Sequence, residues 1–345
     1  MKPLFITDEI YLEHDIKEHP ESKERLIAIF KEIEGIKDKL NIAKPIKANK
    51  EDILTIHSLE HYLRVKEACE MEEYLDGDTP TTINSFEVAL YAVGAGIKGI
   101  NLIKEQKAKL GFCAIRPPGH HATPNKSMGF CLFNNIAIAT KYAQKQGFKR
   151  VFIIDFDVHH GNGTQDAFYS NDSVFYFSTH QAFTYPGSGN PDEIGIGKGE
   201  GFTFNYPLMP NSTDIELLEV YENELPKLIN NFNPDIILVS AGYDLHESDP
   251  LAMLDITHSG IKKMVEIILA QKPNVSKLFF LEGGYNTKAL GINVRLTLES
   301  MVDNGELKIE NESVLSFLRR QKSKEIIGFE ILTFEGMTGG MENLK

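Results

Sequence analysis

Val151-Phe152-Ile153-Ile154-Asp155-Phe156-Asp157-Val158-His159-His160-Gly161-Asn162 begins as an unbroken apolar run and ends in ligand-type side chains. A short continuous apolar run is the pattern of a strand buried on both faces, as in a parallel sheet. On extended backbone, side chains two apart point the same way. Asp157 and His159 therefore leave the strand end together, an oxygen and a nitrogen ligand side by side. Open α/β sheets place their ligands at this carboxyl end.

Outward from this stretch the same alternation repeats. Leu110–Ile115, Ser173–Ser178, Asp235–Ser240 and Lys277–Leu281 read as further strands. Between them, Asn134–Gln146 has helical spacing and closes on Gly147, and Ile261–Ala270 is a second helix. Asp214–Phe232 carries apolar Leu217, Leu218, Tyr221, Leu225 and Leu228 on a helical period, with Pro226 placed to kink or split it. Strand–helix–strand alternation predicts an α/β fold with a mostly parallel sheet covered by helices. Ser178–Gly201 has no regular period over 24 residues, longer than ordinary connections, which marks it as functional.

The chain has 345 residues, 42% hydrophobic and 25% charged, as expected of a globular protein. Its net charge of −13 argues against nucleic acid as a partner and suits a cationic substrate, although acidity also serves solubility. Cys69, Cys113 and Cys131 form no Cys-x-x-Cys pair, so neither a disulfide framework nor a thiolate zinc site is expected, and a reducing compartment is. The acidic N-terminal residues do not read as a signal peptide. No apolar run approaches the ~20 residues of a membrane span; Val88–Ile97 is short and carries two glycines. The expectation is a cytoplasmic protein with no membrane partner. It is built as one domain (1–320) followed by a tail (321–345) whose charged, glycine-bearing composition is compatible with partial disorder.

Four motifs follow predicted strands: Arg116-Pro117-Pro118-Gly119-His120-His121, Asp155–Asn162, Ala241-Gly242-Tyr243-Asp244 and Glu282-Gly283-Gly284-Tyr285. In a parallel sheet all four converge on one edge. Asp157, His159 and Asp244 would give a three-ligand metal site with an open position, as catalytic zinc requires; oxygen-rich ligation also admits Fe²⁺ or Co²⁺. His120 and His121 are candidate proton carriers, and Asp155 and Asn162 are acceptors able to orient them. A charged Asp keeps its imidazole basic more than a neutral Asn does, so the two histidines should titrate apart. The Tyr285 phenol is placed to donate to a developing oxyanion.

Together and in this order, these motifs, with His19-Pro20-Glu21 and Glu24-Arg25-Leu26, resemble the zinc-dependent histone deacetylase and acetylpolyamine amidohydrolase superfamily, class II branch. The resemblance runs from about residue 10 to about residue 300. It implies an arginase-like three-layer fold with a central sheet of about eight strands. It also implies removal of acetyl or short acyl groups from acylated amines by metal-activated water. By the same resemblance, zinc would sit on Asp157, His159 and Asp244. His120 would pair with Asp155, His121 with Asn162, and Tyr285 would polarise the amide carbonyl. Potassium would be held by Asp155, Asp157, His159, Ser178 and Thr179. Gly129, Phe130 and Tyr185 would line the substrate channel, and Asp78 would match a rim carboxylate. Leu251 stands where polyamine-specific members carry an acid, which favours ε-acetyl-lysine over an acetylated polyamine. The presence of Tyr285 favours an active enzyme over a weakly active acyl-lysine-binding module. An arginase-type manganese cluster would need further carboxylates, and Asn162 supplies none. Neither the natural substrate nor the oligomeric state is legible.

Overall fold

The computed structural model describes residues 1–303. The boundary expected near 320 and the tail 321–345 lie outside the described residues. Eight strands form one sheet: β1 (Leu4–Ile6), β2 (Asn41–Ala43), β3 (Leu110–Cys113), β4 (Val151–Asp155), β5 (Val174–Gln181), β6 (Thr203–Leu208), β7 (Ile236–Ala241) and β8 (Ser276–Leu281). Their order is β2-β1-β3-β8-β7-β4-β5-β6, and every pairing is parallel. Helices cover both faces, as the arginase-like expectation required. β4, β7 and the last five residues of β8 are buried throughout, which is why they read as unbroken apolar runs.

This order places the site. The four motif-bearing strands are neighbours, β3-β8-β7-β4, so their carboxyl ends form one continuous rim in the middle of the sheet. A parallel register, with Asp155 opposite Ser240 and Ser240 opposite Phe280, sets the motif loops at one level.

Several boundaries differ from the sequence reading. Pro226 splits the predicted helix into Asp214–Asn223 and Leu225–Phe232, with the proline in the first turn of the second, where its missing N–H costs nothing. β5 continues through Gln181 because it pairs with β6 up to Gln181–Leu208, so the irregular segment begins four residues later than expected. Ser85–Lys104 forms one 20-residue helix long and apolar enough to cross a membrane, correcting the expectation that no segment approaches that length. Glu87 and Lys98 interrupt its apolar run in sequence but not its helix. It serves as a core helix here: 67% of its most apolar window is buried. Gly96 and Gly99 let it lie directly on β8, since a methyl group at either would fall within 2.7 Å of Phe280 or 2.6 Å of Leu278.

Three buried histidines besides His120, His121 and His159 give the fold an acid limit. Burial holds His57 down to about 3, and His14 and His180 down to about 4, all from about 6.5. The folded chain keeps them neutral, so below pH 6.5 the unfolded chain binds protons that the fold refuses. Their contribution is present above pH 6.5 and is lost as pH falls towards 4. The melting temperature is expected to fall steeply between pH 6.5 and 4; a flat profile there would contradict these burials.

Candidate active site

The loop after β4 delivers Asp157 and His159, and the loop after β7 delivers Asp244, the three candidate metal ligands. Asp157 Oδ1 lies 3.3 Å from His159 Nδ1, and Asp244 Oδ2 lies 3.4 Å from the same nitrogen. Ligand atoms of Asp157, His159 and Asp244 all fall within 4.8 Å of one another. Backbone N–H groups aim the carboxylates: Gly283 N donates to Asp157 Oδ2 at 2.8 Å and Val158 N to Asp244 Oδ1 at 3.0 Å. Asp244 Oδ2 is buried and accepts no hydrogen bond. Two carboxylates and one imidazole, with one carboxylate oxygen left for another partner, fit a divalent cation in donor type and charge. Gly242 and Gly283 are required by packing, because a Cβ at either would collide with Asp157 or Asp244.

The tandem histidines stand beside this set, rings 4.0 Å apart. His120 Nδ1 meets Asp155 Oδ2 at 3.1 Å, and His121 Nδ1 meets Asn162 Oδ1 at 2.9 Å. Burial alone would depress His120, but Asp157, Asp155 and Glu282 outweigh it and raise the imidazole to about 10. Burial, with the positive charges of His120 and His159 beside it, drives His121 well below its usual range. The two histidines thus split in the expected sense: burial lowers both, and the charges around each set them apart. Among the ligands, burial and the adjacent Asp157 push Asp244 up to about 7. Asp157 itself is held low: burial opposes ionisation, but His120 and His159 outweigh it.

Tyr285 ends the Gly-Gly turn after β8. Its N–H donates to Asp249 Oδ2 at 2.6 Å, its ring meets Phe130 edge-on at 5.7 Å, and the Arg25 guanidinium sits 5.1 Å from the ring centre. Tyr185 stands edge-on to His121 at 5.1 Å and to His159 at 6.3 Å. Gly129, in left-handed backbone (φ +56°), leaves room between them: a Cβ there would sit 2.5 Å from His121 and 3.0 Å from Tyr185. Phe130 and Tyr185 thus flank the approach to the histidines. Thr79, next to Asp78, accepts the Phe130 N–H at 3.1 Å, so Asp78 sits at the mouth beside that wall. Leu251 is 39% exposed in the loop that carries Asp249. Ser178 is paired with Asp155 across β4 and β5, and its hydroxyl meets His180 at 2.9 Å; Thr179 meets the Tyr221 hydroxyl at 3.0 Å.

The sequence reading missed the supports behind these groups. Glu282 is fully buried, accepts from Gly119 N at 2.7 Å and His120 N at 3.2 Å, and receives the Ser240 hydroxyl. Arg25 donates to the Gly284 and Glu282 carbonyls, bracing the turn that carries Tyr285. Glu21 in turn pairs with both Arg25 and Arg116. Tyr176 donates to Asp155 at 3.1 Å. Glu282 was within reach of sequence reasoning, being an acid directly after a buried strand and the first residue of a motif already marked.

A buried parallel sheet with an Asp-His-Asp cluster, two differently polarised histidines and an aromatic-walled mouth at its carboxyl edge has the layout of an amide hydrolase. The chain belongs to the histone deacetylase family: the histone deacetylase domain matches residues 19–301. It is 39% identical over 323 residues to histone deacetylase 14, chloroplastic, of Arabidopsis thaliana, covering 87% of this chain and 76% of the relative. It is also 39% identical over 288 residues to a probable deacetylase of Archaeoglobus fulgidus, covering 81% of this chain and 80% of the relative. The solved HDA15 HD domain superposes with a TM-score of 0.84 at 32% identity, covering 90% of this chain and 92% of that one.

Proposed function

We propose that this chain is a zinc-dependent deacetylase that removes acetyl or short acyl groups from ε-acyl-lysine. The observation that carries this reading is the unequal pair His120–Asp155 and His121–Asn162, set beside the Asp157–His159–Asp244 cluster. Hydrolysis of an amide needs a neutral base for the attacking water and an acid for the leaving amine, and the pair supplies one of each.

Zinc held by Asp157, His159 and Asp244 supplies Lewis-acid activation of water and carbonyl when bound; Fe²⁺ or Co²⁺ would serve the same role. The remaining work belongs to the chain. His121, neutral because of its burial and its neutral acceptor, takes the proton of the attacking water. His120, kept protonated by Asp157, Asp155 and Glu282, steadies the developing negative charge, and an imidazolium of the pair then protonates the amine. Tyr285 donates a hydrogen bond from its phenol to the carbonyl oxygen. Phe130 and Tyr185 grip the aliphatic stem and exclude water from it. Potassium at Asp155, Ser178 and Thr179, with main-chain oxygens of Asp157 and His159, is the structural ion of the same reading.

Asn162→Asp tests the division of labour. A carboxylate beside His121 raises its pKa, so the base is protonated over a wider range. The acid limb of kcat/KM is expected to move up by about one unit or more; an unmoved limb would show that His121 is not the base. Substrate class is tested by comparing kcat/KM on an acetyl-lysine peptide, acetylated putrescine and spermidine, and longer acyl-lysines. The peptide is expected to lead. The second reading, an acetylated polyamine, draws on the net charge of −13 and on the Asp76–Asp78 pair at the mouth. Inactivity of the zinc-loaded chain on all of these would end the hydrolytic reading.

A further inference from the structure

Beside the site, the carboxyl edge of the sheet carries exposed apolar side chains that the proposed chemistry does not use. Phe183 is 88% exposed, Met253 59% and Met209 57%, followed by Leu251 and Tyr185. Scattered singly, such residues are ordinary. Here they sit on three loops hydrogen-bonded into one rim. Ala182 N donates to Leu208 O at 2.7 Å, Met253 N to Gln181 Oε1 at 2.6 Å, and Asn211 N to Met253 O at 2.6 Å.

The rim joins the site at two points. Tyr185, two residues from Phe183, faces His121. Leu251 N donates to Asp249 Oδ1, and the other oxygen of that carboxylate receives Tyr285 N. Phe183 also holds left-handed backbone (φ +60°), as does the wall residue Phe130 (φ +69°). That conformation is unfavourable for a bulky side chain, and such residues gather at ligand clamps. The cost in Phe183 holds a phenyl ring out in water beside the channel. On the Phe130 side the mouth is acidic: Asp78 N donates to Asp76 Oδ1 at 3.1 Å, next to the Thr79–Phe130 contact. One side of the entrance is thus apolar and the other carboxylate-lined.

We infer that the rim formed by Phe183, Met209, Leu251 and Met253 binds an apolar side chain flanking the acylated lysine of a peptide substrate. This rests on the deacetylase reading and narrows it to acyl-lysine in an apolar sequence context, with the peptide's N–H groups or a neighbouring cation facing Asp76 and Asp78. A polyamine offers only short methylene spacers between ammonium groups and has no bulky apolar side chain to place there. The rim lies outside the channel, so it selects the body of the substrate and not the acyl group.

The test uses the full zinc-loaded chain and three acetyl-lysine peptides that differ in one flanking residue: Phe, Gly or Glu. The Phe peptide is expected to exceed the Gly peptide about tenfold in kcat/KM, the scale of partial burial of one ring, with the Glu peptide below both. In the Phe183→Ser/Met253→Ser double variant, both positions being largely exposed and their loss harmless to folding, the Phe-to-Gly ratio is expected to fall to within about twofold of unity on the same reasoning. A ratio near unity in the parent chain, or an unchanged ratio in the variant, overturns the rim assignment. Absence of turnover on all three peptides overturns the hydrolytic reading instead. Calorimetric affinities of the same peptides then decide the rim by the same ratio.

Discussion

Asp244→Ala is expected to abolish metal binding. Elemental analysis should fall from about one ion per chain to near none, because one of three ligands is removed and affinity depends on ligand number and charge. Activity on an acetyl-lysine peptide should fall to background with it. Asp244 has a second task that makes the loss more complete. Its Oδ1 receives the Val158 N–H, which fixes the backbone between Asp157 and His159. Removing the side chain thus frees the other two ligands as well. Asp244→Asn separates the effects: it keeps an acceptor for Val158 but loses the charge, so it should retain the loop geometry and bind metal more weakly. Normal metal content in a folded Asp244→Ala chain would refute the ligand assignment. Loss of metal in Asn equal to that in Ala, with no change in loop order, would instead refute the second task, since the lost charge alone would then account for it.

What was legible in the sequence follows from where the information lies. β4, β7 and β8 announced themselves because burial on both faces demands an unbroken apolar run. Asp157, His159, Asp244, His120, His121 and Tyr285 stood out as candidates because each sits just past such a run, and the parallel sheet brings those ends together. β1 and β2 are three residues each, too short for any period, and β2 is largely exposed at the sheet edge. β6 mixes buried Thr203, Asn205 and Leu208 with exposed Tyr206, so its pattern reads as neither strand nor helix. The supports were hidden for a different reason. Arg25 meets the Gly284 carbonyl across 259 residues of sequence, and Glu282 receives Gly119 N across 163. No local pattern encodes a contact of that separation. The apolar mouth was likewise invisible, because Phe183, Met209 and Met253 are ordinary loop residues until β5 pairs with β6 and Met253 N bonds Gln181, which brings their loops together. Sequence placed the chemistry at the strand ends; the fold added what holds it and what surrounds its entrance.

Tyr285→Phe is expected to lower kcat by about 100-fold or more, the scale of losing one oxyanion donor, while metal content and melting temperature stay close to the parent. The reason is the separation between what holds this side chain and what it does. Its position is fixed by contacts that survive the change. Tyr285 N remains bonded to Asp249, Phe130 still meets the ring edge-on, and Arg25 still lies over its face. The phenolic oxygen is the sole group removed. Burial pushes that phenol well above its ordinary range, with Asp244 and Asp157 adding to the rise, so it stays protonated and serves as a donor at any working pH. A donor used on the developing oxyanion and not on the ground-state amide affects kcat far more than KM. Arg25→Lys offers the complement. It keeps the positive charge but loses the fork that holds the Gly284 and Glu282 carbonyls, so it should lower kcat through a displaced Tyr285 and lower the melting temperature as well. A Tyr285→Phe chain that turns over at the parent rate would mean that another group polarises the carbonyl. The electrophilic role would then fall to the His120 imidazolium, whose charge Asp157, Asp155 and Glu282 stabilise.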